Sequence, residues 1–194
     1  DMQNIKGLYL KHAFLPNAYS FAGLEHPLGE TDDNKYADCL LKQAETFARV
    51  GYDGVKMLEG YPSMRKAMKR PLCDKVYDKY YAFMEENRIP ITMHIANPAE
   101  NWDPMSVSEY ARSVGRYCDH TYPTKAQLHE EVDTIMKKFP RLRLALAHYG
   151  FLTYDIKQAR RWLDEYENTV LDITPGGEQY FNMLKNWDEW HEFF

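Results

Sequence analysis

Two histidines close two apolar runs. ITMHI (91–95) carries His94, and LRLALAH (142–148) ends on His148. Each run gives way at once to Pro- or Gly-bearing chain, ANPAENWDP after the first and YGF after the second. A neutral imidazole offers a ring nitrogen to zinc and related cations, and it titrates near neutral pH. Two imidazoles side by side can share a metal, or one can hold it while the other moves a proton. Either histidine alone is equally well read as a strand end satisfied by backbone hydrogen bonds. Their equivalent placement favours chemistry. His94 has the parity of Thr92 and Ala96, opposite to Ile91, Met93 and Ile95, whereas His148 has the parity of Leu144 and Leu146.

Lys56 lies inside the apolar run DGVKML. A lysine there is costly to bury unless paired or neutral. It reads as a metal-bridging carbamate, as an anchor for a substrate carboxylate, or as a side chain snorkelling from a strand end. Glu59 is placed to be its salt partner or a ligand. Asp172 in TVLDITPGG and Glu178 are weaker candidates, readable as a strand-end acid and a first-turn acid that the helix dipole favours. The segment over 96–121 is longer than compact connections usually are, and such loops tend to be functional. Within it Asn97, Trp102 and Asp103 are read as a cover over a substrate. His12, His26, His120, His129 and His191 are assigned to surface or packing, with reserve for His12 just past the first apolar run.

The elements that must position these residues alternate regularly. IKGLYL (5–10), DGVKML (53–58), ITMHI (91–95), LRLALAH (142–148) and TVLDI (169–173) read as strands. Helical periodicity occupies 36–50, 74–87, 124–139, 155–166 and a last helix through 193. Thr124 with Gln127 forms a capping-box pattern, and Gly51 stops the first of these helices. Short strands alternating with helices predict an α/β fold with a parallel sheet, either doubly wound or a (β/α)8 TIM barrel. His94, His148 and Thr174 all fall at carboxyl ends of strands, where both architectures keep their chemistry. No Gly-rich phosphate loop follows any strand, which argues against a nucleotide-binding open sheet.

Bulk properties exclude several classes. The 194 residues suffice for one core, read here as a single domain over 1–194. With 44% apolar and 27% charged residues and a net charge of −5, neither nucleic acid nor an anionic membrane is an expected partner. No run reaches the roughly 18 apolar residues a membrane span needs, and no secretion signal is visible. Cys39, Cys73 and Cys118 lack CxxC spacing, so neither a disulfide framework nor a cysteine zinc site is expected, and a cytoplasmic setting follows. The expected partner is a small-molecule substrate, with a homo-oligomer as the assembly.

GYDGVKMLEGYPSMRK, IPITMHIANPAENWDP, LRLALAHYG and VLDITPGGE, in that order, resemble the amidohydrolase-related family over about residues 5 to 193. Relatives in that family include aminocarboxymuconate semialdehyde decarboxylase, resorcylate decarboxylases and lactone hydrolases. The resemblance implies a (β/α)8 barrel with a divalent metal, often zinc, at its carboxyl end. It implies that His94 is the metal-binding histidine of the fifth strand. It makes His148 the sixth-strand histidine that binds a second metal or serves as acid/base. Lys56 would lie on the fourth strand, where some members carry a carboxylated lysine. The family's first-strand His-x-His pair and eighth-strand aspartate have no counterpart here, and the length falls below the roughly 250 residues of a typical barrel. The expectation is an interior portion covering about strands 3–7. The expected reaction is metal-dependent hydrolysis of an amide or lactone, or decarboxylation of a small carboxylated substrate. The alternatives are a metal-free glycosidase using Glu59 and Glu178, and a barrel that has lost its site.

Overall fold

The computed structural model describes residues 2–14, 17–174 and 177–194, without the side chains of 177 and 178. Its elements run α1 (Met2–Phe14), β1 (Phe21–Gly23), α2 (Asp33–Val50), β2 (Gly54–Gly60), α3 (Pro62–Met68), α4 (Asp78–Glu86) and β3 (Ile91–Ile95). They continue with α5 (Glu109–Ser113), α6 (Lys125–Lys138), β4 (Leu144–Leu146), α7 (Ile156–Glu165), β5 (Thr169–Leu171), α8 (Gly177–Lys185) and α9 (Trp187–Phe193). The five strands form one parallel sheet in the order β1-β2-β3-β4-β5. Each strand pairs with the next in sequence and the order never reverses. That winding is the one of a (β/α) barrel, not of a doubly wound sheet.

Strand alternation divides the sheet into two faces. Val55, Met57, Ile91, Met93, Ile95, Leu144 and Leu146 are buried and pack with Leu40, Tyr80, Met84, Val132, Ile135 and Trp162 of the helices. The opposite face carries a row in register, Gly23–Lys56–Thr92–Ala145–Val170. On that face Leu58 and Val170 are exposed. His94, two residues beyond Thr92, belongs to it as well.

The helix signals act as read. Thr124 Oγ1 accepts from Gln127 N, and Gln127 Oε1 accepts from Thr124 N, closing the capping box of α6. Gly51, at φ 95°, ends α2 in the left-handed conformation that favours glycine. Three expectations need correction. Residues 5–10 are helical within α1, because a short apolar run does not separate helix from strand by periodicity, and this one continues to 13 residues of helix. The first strand is Phe21–Gly23, hidden in the polar loop. Asn4 of α1 donates to Gly23 O and accepts from Gly23 N, both at 2.9 Å, so its amide stands where a neighbouring strand would pair. Residues 62–68 form α3, started by Pro62 at its first position. The last helix breaks in two at Asn186 (φ −122°, ψ 40°).

β2 and β3 meet closely where their register shifts, between Met57 and Gly60. A Cβ on Gly60 would lie 2.3 Å from the backbone oxygen of His94 and 3.0 Å from Ile95 Cα. Backbone cannot yield as a side-chain tip can. Gly60→Ala is therefore expected to destabilise by about 3 kcal/mol, measured by chemical denaturation.

Candidate functional site

The site forms where β3 and β4 end. His94 is 9% exposed, on the face away from the helices. Its ring centroid lies 5.1 Å from that of His148, 5.2 Å from Tyr61 and 5.4 Å from Phe151. The two imidazoles thus meet edge to face inside an aromatic wall. Strand parity alone would send His148 to the helix side with Leu144 and Leu146. Instead the strand stops at Leu146 and the chain enters a left-handed run: His148 (φ 55°), Tyr149 (φ 59°), Gly150 (φ 59°) and Phe151 (φ 53°). Three of these are not glycine, and each left-handed residue costs about 1–2 kcal/mol. Such outliers persist only where neighbours over-determine them. Here Tyr149 N donates to Asp172 O at 2.7 Å, Gln179 Nε2 to His148 O at 2.9 Å, and His129 Nε2 to Gly150 O at 3.0 Å.

Backbone carbonyls also set the histidine protons, because a carbonyl only accepts. His94 Nε2 faces Ala96 O at 3.0 Å, so it carries the N–H and leaves Nδ1 with a lone pair. His148 Nδ1 faces Thr174 O at 3.5 Å, a long contact that directs the free lone pair to Nε2. Thr174 is in turn held by Asp172, whose Oδ1 accepts from Thr174 N at 2.7 Å and from its hydroxyl. An imidazole that donates one N–H to a carbonyl and presents the other nitrogen is the usual arrangement of a metal-ligating histidine. Burial, then the neighbouring His148 ring and Lys56, hold His94 down to about 4, so it is neutral at pH 7. Ring nitrogens of this kind could hold a divalent cation, His94 being the more enclosed of the two. Among the described residues no group of three or more His, Cys, Asp or Glu side chains converges to complete the set.

The other expected residues fall as follows. Lys56 sits in the same face and is lowered by burial, with Asp172 and Glu59 acting in the opposite sense. Among the described residues it makes no ion pair. Asn97 is buried (4% exposed) beside His94. Trp102 Nε1 donates to Pro123 O at 3.0 Å, tying the loop to the start of α6. Asp103 spends its carboxylate on its own loop, accepting from Met105 N at 2.9 Å and from the Ser106 hydroxyl. The polar groups of Trp102 and Asp103 therefore organise the loop itself. The side chain of Glu178 lies outside the described residues.

Glu59 is not the salt partner of Lys56. Its parity turns it to the helix side, where Oε1 meets His26 Nε2 at 2.6 Å. His26 Nδ1 in turn meets the Tyr36 hydroxyl at 2.8 Å. A sheet therefore separates Glu59 from the face carrying Lys56 and His94, which removes it from a carboxylate pair there. This buried cluster, with the hydroxyls of Tyr77 and Tyr80 and Glu59 Oε2 left unpaired, was not legible in the sequence: His26 stands in an ordinary polar loop. The packing assignment of His129 holds, since its ring is buried against Trp162 at 5.4 Å. Tyr61 and Phe151 carried no sequence signal beyond being aromatic residues near strand ends. The cysteines are all free. No described helix is long and apolar enough to cross a membrane.

A parallel sheet wound in strand order, with two imidazoles at adjacent strand ends, has the layout of part of a (β/α) barrel. The family model described as amidohydrolase matches residues 38–192, and the chain belongs to that family. Among solved structures, an uncharacterized TIM-barrel protein from Bordetella bronchiseptica aligns with TM-score 0.61 at 15% identity, over 92% of this chain and 50% of that one. The 4-oxalomesaconate hydratase of Rhodopseudomonas palustris aligns with TM-score 0.57 at 15% identity, over 95% and 53%. A 2,6-dihydroxybenzoate decarboxylase complexed with 2,6-dihydroxybenzoate aligns with TM-score 0.54 at 14% identity, over 94% and 61%. At these identities the likeness establishes the fold alone. The chain spans between half and three-fifths of the length of these structures. No curated protein matches it.

Burial makes an acid-titration prediction. His129 is lowered to about 4, chiefly by burial and then by the charge of Lys125. Unfolded histidine binds its proton near pH 6.5. Between pH 6.5 and about 4 the unfolded chain therefore holds more protons, and stability rises with pH across that window. The contribution is complete above pH 6.5 and falls away toward pH 4, on the order of 3 kcal/mol. His129→Gln keeps an N–H for Gly150 O and removes the titration. Its denaturation midpoint is expected to fall less steeply between pH 6.5 and 4 than that of the wild type.

Proposed function

We propose that this chain forms part of a metal-dependent enzyme acting on a small carboxylated substrate, by hydrolysis of an amide or lactone bond or by decarboxylation. One observation carries the reading: His94 and His148, from neighbouring strands, bring their rings to 5.1 Å, each with one ring nitrogen on a backbone carbonyl. Membership of the amidohydrolase family supports it, as does the decarboxylase activity of one structural neighbour.

His94 would hold the cation through Nδ1, its Nε2–H staying on Ala96 O. A divalent ion, zinc by preference of imidazole donors, supplies Lewis-acid polarisation of the substrate carbonyl and lowers the pKa of water. Lys56 lies in the same face and offers a cation to the substrate carboxylate. A lysine with lowered affinity for its proton gains most from an anionic partner. His148, half exposed at the rim, takes and returns the proton at Nε2, with Nδ1 steered by Thr174 O. Asn97 lies beside the His94 ring and steers it. Further ligands would be needed to complete the site, since no group of three or more His, Cys, Asp or Glu converges among the described residues. A small-molecule partner, a homo-oligomer and a cytoplasmic location accompany this reading as proposals.

The test uses metal analysis and steady-state kinetics on the enzyme. His94→Ala is expected to lose the bound divalent ion. His148→Asn is expected to keep it while kcat falls by about 10²–10⁴. Full metal content in His94→Ala overturns the assignment.

A further inference from the structure

The buried pair His26–Glu59 lies behind the sheet, yet it grips the turn on which the front of the site is built. Tyr61 N donates to Leu58 O at 2.9 Å, so Glu59 and Gly60 are the two central residues of a turn at the end of β2. The residues after Glu59 reach His94 and its neighbours. The Tyr61 ring lies 5.2 Å from the His94 ring. Gly60 O accepts from Ala96 N at 2.9 Å, beyond the register shift that brings Gly60 opposite Ile95. Ala96 is fully buried at φ 60°, a left-handed conformation that a residue other than glycine keeps only where its surroundings enforce it. Its own carbonyl is the one that faces His94 Nε2 at 3.0 Å. Gly60 O thus helps to aim the Ala96 carbonyl, and that carbonyl selects which nitrogen of His94 is free.

Glycine alone would leave this turn loose. Glu59 anchors it. Its Oε1 meets His26 Nε2 at 2.6 Å, and the two side chains are nearly closed to solvent. His26 Nδ1 meets the Tyr36 hydroxyl of α2 at 2.8 Å, and the Arg70 guanidinium lies 4.7 Å from the centre of the Tyr36 ring. Hydrogen bonds linked in a buried chain reinforce one another and fix direction. A buried ion pair is weak evidence for stability, since apolar residues often replace one without loss. Geometry is the better account of this pair. We propose that His26 and Glu59 are positioning residues for His94. Clamped from behind the sheet, the Glu59–Gly60 turn holds the Ala96 carbonyl in place, and with it the His94 tautomer that presents Nδ1. That Nδ1 meets a cation rests on the function proposed above; the setting of the tautomer stands without it.

The measurement is the tautomer ratio of His94 in the metal-free full chain at neutral pH, read from the ring nitrogen shifts by NMR. The wild type is expected to hold the Nε2–H form. The double variant His26→Leu, Glu59→Leu removes both polar partners together, so no buried charge is stranded. Its ratio is expected to move about fivefold toward the Nδ1–H form, the worth of one hydrogen bond. Glu59→Gln keeps a hydrogen bond to His26 and is expected to retain the wild-type ratio. Tyr36→Phe removes one hydroxyl at the outer end of the chain of bonds and is expected to move the ratio the same way by less. Asp133→Asn loosens the contact of α6 with Arg161 and Trp162 of α7, away from this turn, and is expected to lower stability while leaving the ratio untouched. An unchanged ratio in the double variant, or in Tyr36→Phe if the double variant does not fold, overturns the proposal, as does an equal change in Asp133→Asn. A shifted ratio together with full metal content in His94→Ala defeats the proposed function and leaves the positioning role standing. Metal loss in His94→Ala with an unchanged ratio defeats the positioning role alone.

Discussion

The arrangement of the site depends on a short stretch of backbone held against its preference. Four successive residues, 148–151, adopt positive φ. Left to ordinary alternation, His148 would follow Leu144 and Leu146 into the helix-side core and His94 would face the rim alone. The left-handed run redirects the ring. It is kept by hydrogen bonds converging from three directions: the end of β5 through Asp172, α8 through Gln179 and α6 through His129. No single bond of about 1 kcal/mol offsets the conformational cost, but three together with the burial of Tyr149 and Phe151 do. The geometry of the two imidazoles is therefore a property of the whole β4–α8 region.

The electrostatics follow from where these groups were placed. His94 is desolvated beside a second imidazole and a lysine, which keeps it neutral and its lone pair available. Lys56 is partly desolvated, with Asp172 the larger counterweight. A face that carries two bases and a cation and few acids favours an anionic ligand or a cation with anionic co-ligands. The acid that the sequence places closest to Lys56, Glu59, is kept behind the sheet with His26. The strand separates the two charges by its pleat, one residue type to each side.

Much of the fold was legible because its signals are local. The capping box at Thr124, the glycine stop at Gly51 and the apolar runs of β2, β3 and β4 each state their structure in a few residues. The pairing of His94 with His148 was legible through equivalent strand ends, although parity alone pointed His148 the wrong way. What was not legible depends on distant partners. Residues 5–10 are apolar enough for either element, and in the helix they adopt Asn4 meets Gly23, a partner far along the chain. Gln179 and His129 gain their roles through single carbonyls of the 148–151 run, which no spacing in the sequence announces. Trp102 and Asp103 were read toward a ligand because a polar loop invites that reading, and their hydrogen bonds turn inward to the loop.

The amide of Asn4 on Gly23 has a consequence for how the chain behaves in a crowded solution. β1 is three residues long, and among the described residues no strand pairs with its outer flank. That flank offers a ready template for addition of a foreign strand. A single side chain, donating and accepting at once, occupies the template and mimics a peptide group. Helix α1 has no buried residue among those described, so its service to the sheet is that of a cork more than a pillar: it keeps occupied the backbone groups of Gly23 with which a foreign strand would pair.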